Sequence, residues 1–380
     1  YNRTTGVGCV AGPKATQADR GYEDRVFAGR VQEIIQKHPD PASNPLFVFW
    51  APHLVHTSLM VPAPYLDDFD FMMPTDKQGP VWSHDPPNMT AIPFEGHTRQ
   101  LYASMVHYAD TVFGEVVDLL VERHMWNDTL VIFSTDNGGA IYGNGSAGGN
   151  NWPLRGGKGS NTEGGVRGCA FASGGWLPTT VRGTTYSGLV GAWDWYATLS
   201  ELAGVVPTDA RAAAANLPPI DSISLVDVLL GRSGPTGKGR RTSLFLGTEP
   251  TDGYPLGSTV GGLLTLDQNG SLWKLLVGPI KQAVYTGPRF PNSTTNFISA
   301  DYVANCTTES QVGCLYRLDV DPQERIDLAA GLGYRAKADA MWTAIEKARA
   351  GAYNPTRGST DGRACAAALE RGGFWGPFVH

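Results

Sequence analysis

Two kinds of apolar pattern alternate along the first half of the chain and predict its helices and strands. Apolar residues recur at helical spacing over 22–37 and again over 99–120, which predicts two amphipathic helices. Two short, continuous apolar runs, 46–50 and 130–133, have the length of strands that are buried on both faces. This order of elements predicts an α/β fold, with a mostly parallel sheet flanked by helices.

The pattern changes beyond Gly231, where short apolar runs come first and a helix follows. The predicted elements are strands at 244–246, 272–277 and 315–320 and a helix over 334–350. Strands followed by a helix are typical of a small α+β domain. We therefore expect residues 1–235 to belong to the large α/β domain and residues 236–380 to form a smaller C-terminal domain.

Composition and charge narrow the class of protein. The chain has 380 residues, of which 42% are hydrophobic and 17% charged, as in ordinary globular proteins. A net charge of −6 without a basic stretch argues against nucleic acid as a partner. Because no apolar run approaches the roughly 18 residues that span a bilayer, we expect no membrane span.

Glycosylation sequons indicate the compartment. The chain has more Asn-x-Ser/Thr sequons than the roughly two that chance would give. The seven sequons begin at Asn2, Asn88, Asn127, Asn144, Asn269, Asn292 and Asn305. Their number predicts a glycoprotein of the secretory pathway, located outside the cell, in the periplasm or cell wall, or in a lysosome-like compartment.

Five cysteines fit the same compartment. Cys306 and Cys314 lie eight positions apart across a short polar segment, and we expect them to form a local disulfide. Cys169 lies in an apolar stretch and is predicted to be a buried free thiol. Cys9 and Cys365 either pair with each other or pair with cysteines of an upstream segment.

Polar residues with useful chemistry follow the two predicted strands. Asp136 and Asn137 come directly after the second strand and offer oxygen ligands suited to Ca²⁺ or Mg²⁺, although an isolated Asp-Asn-Gly more often only ends a strand. His53 and His56 follow the first strand, where a histidine acts as a general acid or oxyanion partner or packs under a loop. Ligands of α/β sheets bind beyond the carboxyl ends of such strands.

Lys158 is the candidate for binding an anion. It lies in a glycine-rich loop, 154–168, where small residues allow the backbone to approach an oxyanion and the ammonium neutralises its charge. A solvated loop lysine is the ordinary alternative. The loop's place after a strand end favours the anion-binding interpretation.

Blocks of sequence around these candidates carry a family resemblance. They are 55–62, 99–106, 132–139, 148–156, 163–167, 273–276 and 315–325. In order and content they resemble the sulfatase family of the alkaline phosphatase superfamily, and within it the arylsulfatase B-like branch. Ser58 stands where the family's histidine segment normally has proline.

The resemblance implies a role for each candidate. Asp136 and Asn137 would be metal ligands, usually to Ca²⁺ and otherwise to Mg²⁺. Lys158 and His56 would contact the sulfate group, with His56 matching the family better than His53. The family reaction is attack on sulfur by the hydrated aldehyde of formylglycine, made from a cysteine, followed by release of sulfate from a covalent intermediate.

One part of the family pattern does not occur in this sequence. The family's nucleophile lies in a Cys-x-Pro-x-Arg motif, between an Asp-Asp pair and a Lys-x-His pair of site residues. Cys9 is the nearest candidate, but its proline has the wrong spacing and no arginine follows. We therefore expect an N-terminal segment of the same precursor to carry formylglycine, either as a separate chain after cleavage or upstream of Tyr1, and we expect this chain not to fold alone.

Two classes of function follow. The first is a sulfuric ester hydrolase that cleaves aryl or carbohydrate sulfates together with the N-terminal segment. The second is a catalytically inactive sulfatase-fold component of an extracellular assembly. The presence of His56, Asp136, Asn137 and Lys158 together favours the enzyme. A phosphodiesterase is a third and more distant hypothesis, because phosphodiesterase sites use more Asp and His metal ligands than this chain shows.

Overall fold

The computed structural model describes residues 22–39, 41–57, 59–62, 64–72, 98–141, 148–232, 241–250, 259–290, 302–306, 313–352 and 361–374. The α-helices are α1 Glu23–Lys37, α2 Pro64–Asp67, α3 Thr98–Glu122, α4 Glu163–Val166, α5 Asp194–Leu202, α6 Ala210–Ala214, α7 Val226–Leu229, α8 Arg335–Gly351 and α9 Arg363–Glu370. The strands are β1 Val131–Ser134, β2 Ala170–Ser173, β3 Ser243–Pro250, β4 Thr259–Leu266, β5 Leu272–Val277, β6 Pro279–Lys281, β7 Val303–Asn305 and β8 Cys314–Arg317. Ser58 and Cys9 lie outside the described residues, as do the sequons at Asn2, Asn88, Asn144 and Asn292.

The two long N-terminal helices form where the periodicity predicts them and pack against each other. In α1 the buried residues Ala28, Val31 and Ile35 recur at helical spacing. They meet the apolar stripe of α3, which includes Val112 and Val116. His38 and Pro39 end α1, because a residue before proline disfavours the helical conformation.

The strand prediction for this half of the chain is confirmed only in part. Strand β1 forms, but it pairs antiparallel with β2, from Val131 opposite Ser173 to Ser134 opposite Ala170. The run 46–50 forms no strand, and Phe47 and Phe49 are 68% and 83% exposed. The described strand pairings are all antiparallel, so the parallel ladder that we expected between the two runs is not among them. The physical reason is that no described strand lies beside residues 46–50.

The C-terminal part contains a four-stranded antiparallel sheet in the order β3-β4-β5-β8. Three of these strands and the helix α8 were predicted from the sequence. Strand β4 was not predicted, because Gly261 and Gly262 interrupt its apolar pattern. Helix α9 was not predicted either.

Strand β5 lies between two neighbours and is covered on both faces. Trp273, Leu275 and Val277 pack on α8 through Met341 and Ile345. Since side chains alternate along a strand, Lys274 and Leu276 point to the opposite face. On that face Leu276 joins a second apolar cluster with Ile280, Tyr316 and the half-buried Leu189.

The cysteines confirm one prediction and correct another. Cys306 and Cys314 form the predicted disulfide, with Cα atoms 4.9 Å apart. Cys169 is a free thiol, but it is exposed, because it leads into β2 at an uncovered end of the ladder. Cys365 is also free and exposed.

The structure also bears on the glycosylation sequons and on membrane spans. The sequon asparagines Asn127, Asn269 and Asn305, which are the ones within the described residues, are exposed. Within the same residues, no helix is both long and apolar enough to cross a membrane.

Candidate functional site

The structure brings together the turn after β1, which carries Asp136 and Asn137, and the glycine-rich loop that carries Lys158. The backbone N–H of Lys158 donates to the carbonyl of Gly139, at 3.2 Å. The N–H of Gly138 donates to the carbonyl of Gly165 in α4, at 2.9 Å. The turn that carries Asp136 is therefore joined both to the Lys158 loop and to the short helix that follows it.

Asn151 is the side chain that joins these loops, and the sequence did not reveal it. Its Oδ1 accepts from the N–H of Gly139 at 2.8 Å. Its Nδ2 donates to the carbonyls of Gly139 and Gly156, at 2.7 and 3.0 Å. All three partners are backbone groups, which leave no mark in a sequence. The only signal was its place in the block 148–156.

Close backbone approach explains two of the glycines. A Cβ on Gly138 would lie 1.7 Å from the carbonyl oxygen of Gly164. A Cβ on Gly164 would lie 2.4 Å from the carbonyl oxygens of Arg155 and Gly156. Side chains at these positions would push the turn, the loop and α4 apart.

The charged groups of the site are accessible to solvent and have no protein partner among the described residues. Within the described residues, neither the ammonium of Lys158 nor the carboxylate of Asp136 forms a hydrogen bond or ion pair. Lys158 is half-buried, and Asp136 is exposed. A partly desolvated cation without a protein counter-ion attracts an anion more strongly than a fully solvated one does.

The metal-ligand chemistry is suitable but incomplete. Asn137 donates its Nδ2 to the carbonyl of Gly138 at 3.1 Å, so this contact does not use its Oδ1. Asp136 and Asn137 thus offer oxygen donors to a hard cation, which takes six or more oxygen ligands. The described part of the chain holds no group of three or more His, Cys, Asp or Glu side chains that could bind a metal ion. These residues alone do not complete a metal site.

The two candidate histidines lie in one turn and differ in their partners. His53 contacts Glu23 of α1 through Nδ1 at 2.9 Å, and this hydrogen bond raises the pKa of His53. His56 is exposed, and its Nδ1 lies 2.6 Å from the carbonyl oxygen of Thr57. Among the described residues no hydrogen bond or ion pair joins His56 to Asp136 or Lys158.

The start of the Lys158 loop is held by residues of the C-terminal part of the chain. Arg155 donates from Nε to the carbonyl of Ala283 at 2.8 Å and from Nη1 to the hydroxyl of Tyr316 at 2.9 Å. The N–H of Gly156 donates to the carbonyl of Val284 at 2.8 Å. Burial raises the pKa of Tyr316 to about 12, although the guanidinium of Arg155 opposes the shift.

Three charged side chains form a buried cluster at the first residue of α4. The Nζ of Lys274 is 2.9 Å from Oε1 of Glu163 and 2.8 Å from Oε1 of Glu324. All three side chains are at most 4% exposed. Burial lowers the pKa of Lys274, but the carboxylates of Glu324 and Glu163 outweigh it and the net shift is upward. For Glu324, burial raises the pKa against the opposing effect of Lys274.

Comparison with solved structures defines the fold. Ps i-CgsB, solved in complex with k-i-k-neocarrahexaose, matches with a TM-score of 0.59 and 20% identity over 92% of this chain and 58% of that chain. A protein solved with its substrate D-glucosamine-2-N,6-O-disulfate matches with a TM-score of 0.55 and 14% identity, over 87% of this chain and 70% of that one. The expected alkaline phosphatase-like α/β fold class is confirmed.

Comparison with known sequences gives the family. The sulfatase family model matches residues 2–205, more than half of the chain, and the chain belongs to the sulfatase family. Arylsulfatase J of Mus musculus is 29% identical over 315 residues, which cover 81% of this chain and 46% of that protein. Arylsulfatase A of Homo sapiens is 30% identical over 59% of this chain and 38% of that protein. The chain thus spans less than half the length of these relatives.

Proposed function

We propose that this chain is the sulfate-recognising part of a sulfuric ester hydrolase that acts on aryl or carbohydrate sulfates. The observation that carries the proposal is the half-buried Lys158, whose ammonium has no partner within the described residues and whose backbone is bonded to the turn after Asp136 and Asn137. Family membership supports the same reaction class.

Lys158 would bind the sulfate group of the substrate. Its charge would neutralise the ester's anionic oxygens. The backbone bond from Lys158 to Gly139 holds the base of the side chain in place, so little reorganisation is needed when the anion arrives.

His56 would interact with the ester through its other ring nitrogen. Because a carbonyl oxygen can only accept, the contact with Thr57 requires that Nδ1 carries a proton. Nε2 is then the atom that faces substrate, and it donates a hydrogen bond when the ring is protonated. This role needs His56 and Lys158 to approach one substrate together.

Asp136 and Asn137 would hold part of the family's metal site. Calcium, or magnesium in its place, would supply positive charge next to the sulfate oxygens. Since the described residues offer too few ligands, the remaining ones would come from a further segment, as would the formylglycine nucleophile.

That further segment would be an N-terminal portion of the same protein, and it would cover the exposed aromatic residues. Phe133 and Phe171 stack with ring centroids 5.0 Å apart, yet they are 40% and 48% exposed. Phe47 and Phe49 are more exposed still. A segment that covers these rings would remove their apolar area from water and so stabilise the protein.

The test is sulfate-ester hydrolysis by protein expressed from the full-length gene. Lys158→Ala should lower kcat/KM for 4-methylumbelliferyl sulfate by about 100- to 1000-fold, the usual effect of removing one group that stabilises a transition-state charge. Lys347→Ala, an exposed lysine on α8, is the matched control and should leave the rate unchanged. Equal rates for both variants would contradict the assigned role of Lys158.

The same assay separates the two function classes. A wild-type protein that binds inorganic sulfate but hydrolyses no sulfate ester would be the inactive component. A protein that hydrolyses the ester, and in which mass spectrometry finds formylglycine, would be the enzyme.

We also propose that the protein passes through the secretory pathway. The disulfide between Cys306 and Cys314 and the exposed asparagines of three sequons support this location. Loss of mass on treatment with an N-glycosidase is the expected observation for protein from the native source.

A further inference from the structure

The buried cluster of Glu163, Lys274 and Glu324 is costly for the protein to maintain. Desolvation of three charges offsets most of their mutual attraction, and apolar residues of similar volume often stabilise a fold as well or better. Leu276, on the same face of β5 as Lys274, belongs to an apolar cluster, so apolar residues would be compatible with this face of the sheet. Stability alone therefore does not account for the cluster.

We propose that Lys274 and Glu324 are positioning residues for the sulfate-binding site. They lie in the C-terminal sheet and the turn after it, and they hold α4, which supports both the Lys158 loop and the Asp136 turn. This inference rests on the proposed function and adds to it a task for the C-terminal part of the chain.

Glu324 and Lys274 both contact Glu163, the first residue of α4. Oε2 of Glu324 accepts from the backbone N–H of Glu163 at 3.0 Å, while Lys274 contacts the Glu163 side chain. A helix of one turn has few bonds of its own, so these contacts fix its position and orientation. Glu324 itself is 1% exposed and has a left-handed backbone conformation, with φ of 56°.

From α4 the contacts continue directly to the site. The carbonyl of Gly165 accepts from Gly138, next to Asn137. The N–H of Gly164 donates to the carbonyl of Arg155 at 2.7 Å, at the start of the Lys158 loop. A shift of α4 would therefore displace both the metal ligands and the anion-binding lysine.

The alternating faces of β5 make Lys274 suited to this task. Its neighbours in sequence, Trp273 and Leu275, are packed against α8. The pleat then directs Lys274 away from α8 and towards α4. The ammonium is thus carried by an inner strand of a four-stranded sheet, which is a rigid support.

The experiment compares Lys274→Met and Glu324→Gln with Arg241→Met in protein expressed from the full-length gene. Arg241→Met is the matched control, because Arg241 forms an ion pair with the fully buried Asp194 away from this cluster. Two quantities are measured in each variant: hydrogen exchange of the backbone amides of Gly138 and Lys158, and the inhibition constant of inorganic sulfate.

We expect both Lys274→Met and Glu324→Gln to weaken sulfate inhibition by about tenfold and to speed exchange at the two amides by a similar factor. Exchange in β4 should not change. Arg241→Met should leave both measurements near the wild-type values even where it lowers the melting temperature. Glu324→Gln preserves the shape of the side chain, and it carries the test should Lys274→Met not fold.

Unchanged exchange at Gly138 and Lys158 in a folded Glu324→Gln variant would overturn the inference, whatever the rate of hydrolysis. The same holds if Arg241→Met produces the same local changes, since the effect would then be one of general stability. Failure of the proposed function would look different: wild-type protein would hydrolyse no sulfate ester, while the exchange measurement would still report on α4.

Discussion

The side chain that orders the candidate site, Asn151, carries no charge. A carboxamide has both a donor and an acceptor end, and here the acceptor end meets Gly139 while the donor end meets both Gly139 and Gly156, which lie in different loops. Charged residues are the ones proposed to bind the ligand, but a neutral residue holds together the loops that carry them.

We predict that Asn151→Ala lowers the free energy of unfolding by about 2–4 kcal/mol, since three hydrogen bonds are lost and their backbone partners are left unsatisfied. Urea unfolding followed by tryptophan fluorescence measures the change. A loss below about 0.5 kcal/mol, the range of ordinary surface substitutions, would show that the three bonds do not form.

Asn151→Asp is the matched variant, and its effect should depend on pH. It retains the acceptor for Gly139 but directs a carboxylate at two carbonyl oxygens, which raises the pKa of the introduced carboxyl in the folded state. A raised folded pKa gives stability that is present below the unfolded value and lost as pH rises through the folded value. The variant should therefore be closer to wild type at pH 4 than at pH 7.

The sequence revealed the residues of the candidate site that have distinctive chemistry. Asp136 and Lys158 follow a strand end and lie among glycines, which are local signals, and the structure joins their loops. Their catalytic and metal-binding roles stay predictions. Asn151 could not be predicted, because its partners are backbone groups. Lys274 could not be predicted either, because its partners are carboxylates that lie far away in sequence.

At the scale of elements, the three long helices were predicted well and the strand environments were not. The periodicity of α1, α3 and α8 is a local property, and their buried faces follow from it. Whether a strand is covered depends on neighbours elsewhere in the chain, so β1 and the run 46–50 were wrongly predicted to be buried.

The contact between α4 and the adjacent loop gives a prediction about glycine. Gly164→Ala should lower the free energy of unfolding by about 1–3 kcal/mol, because its Cβ would overlap two carbonyl oxygens. It should also weaken sulfate binding, as the loop must move. Thermal unfolding and sulfate titration measure the two effects.

Gly114→Ala is the control for this substitution. Gly114 lies within α3, and nothing is within 4 Å of an added Cβ. Since alanine is the better helix former, this variant should gain about 0.5–1 kcal/mol. If Gly164→Ala raised the melting temperature as Gly114→Ala is expected to do, the close approach at Gly164 would be refuted.

At the scale of the whole molecule, the N-terminal and C-terminal parts differ in how their strands are covered. The C-terminal sheet has apolar clusters on both faces. The ladder of β1 and β2 leaves aromatic rings exposed. The boundary between domains at residues 235 and 236 stays a prediction.

The proposed N-terminal segment predicts an uneven response to two exposed apolar residues. Phe49→Ser should cost about 3–5 kcal/mol in protein from the full-length gene, as expected for a buried phenylalanine. Leu332→Ser should be neutral, although Leu332 is 99% exposed and Phe49 only 83%. Chemical unfolding of both variants provides the comparison. Neutral behaviour of Phe49→Ser would mean that no segment covers that ring.

The buried cluster under α4 also determines the order in which the site forms during synthesis. Glu163 needs Lys274, 111 residues further along, and Glu324, 161 residues further along. At roughly 5–20 residues per second, the ribosome takes about 10–30 s to supply the second of these partners. During that interval the nascent chain carries the Lys158 loop without the two side chains that hold α4, so the candidate site cannot be completed before residue 324 has been made.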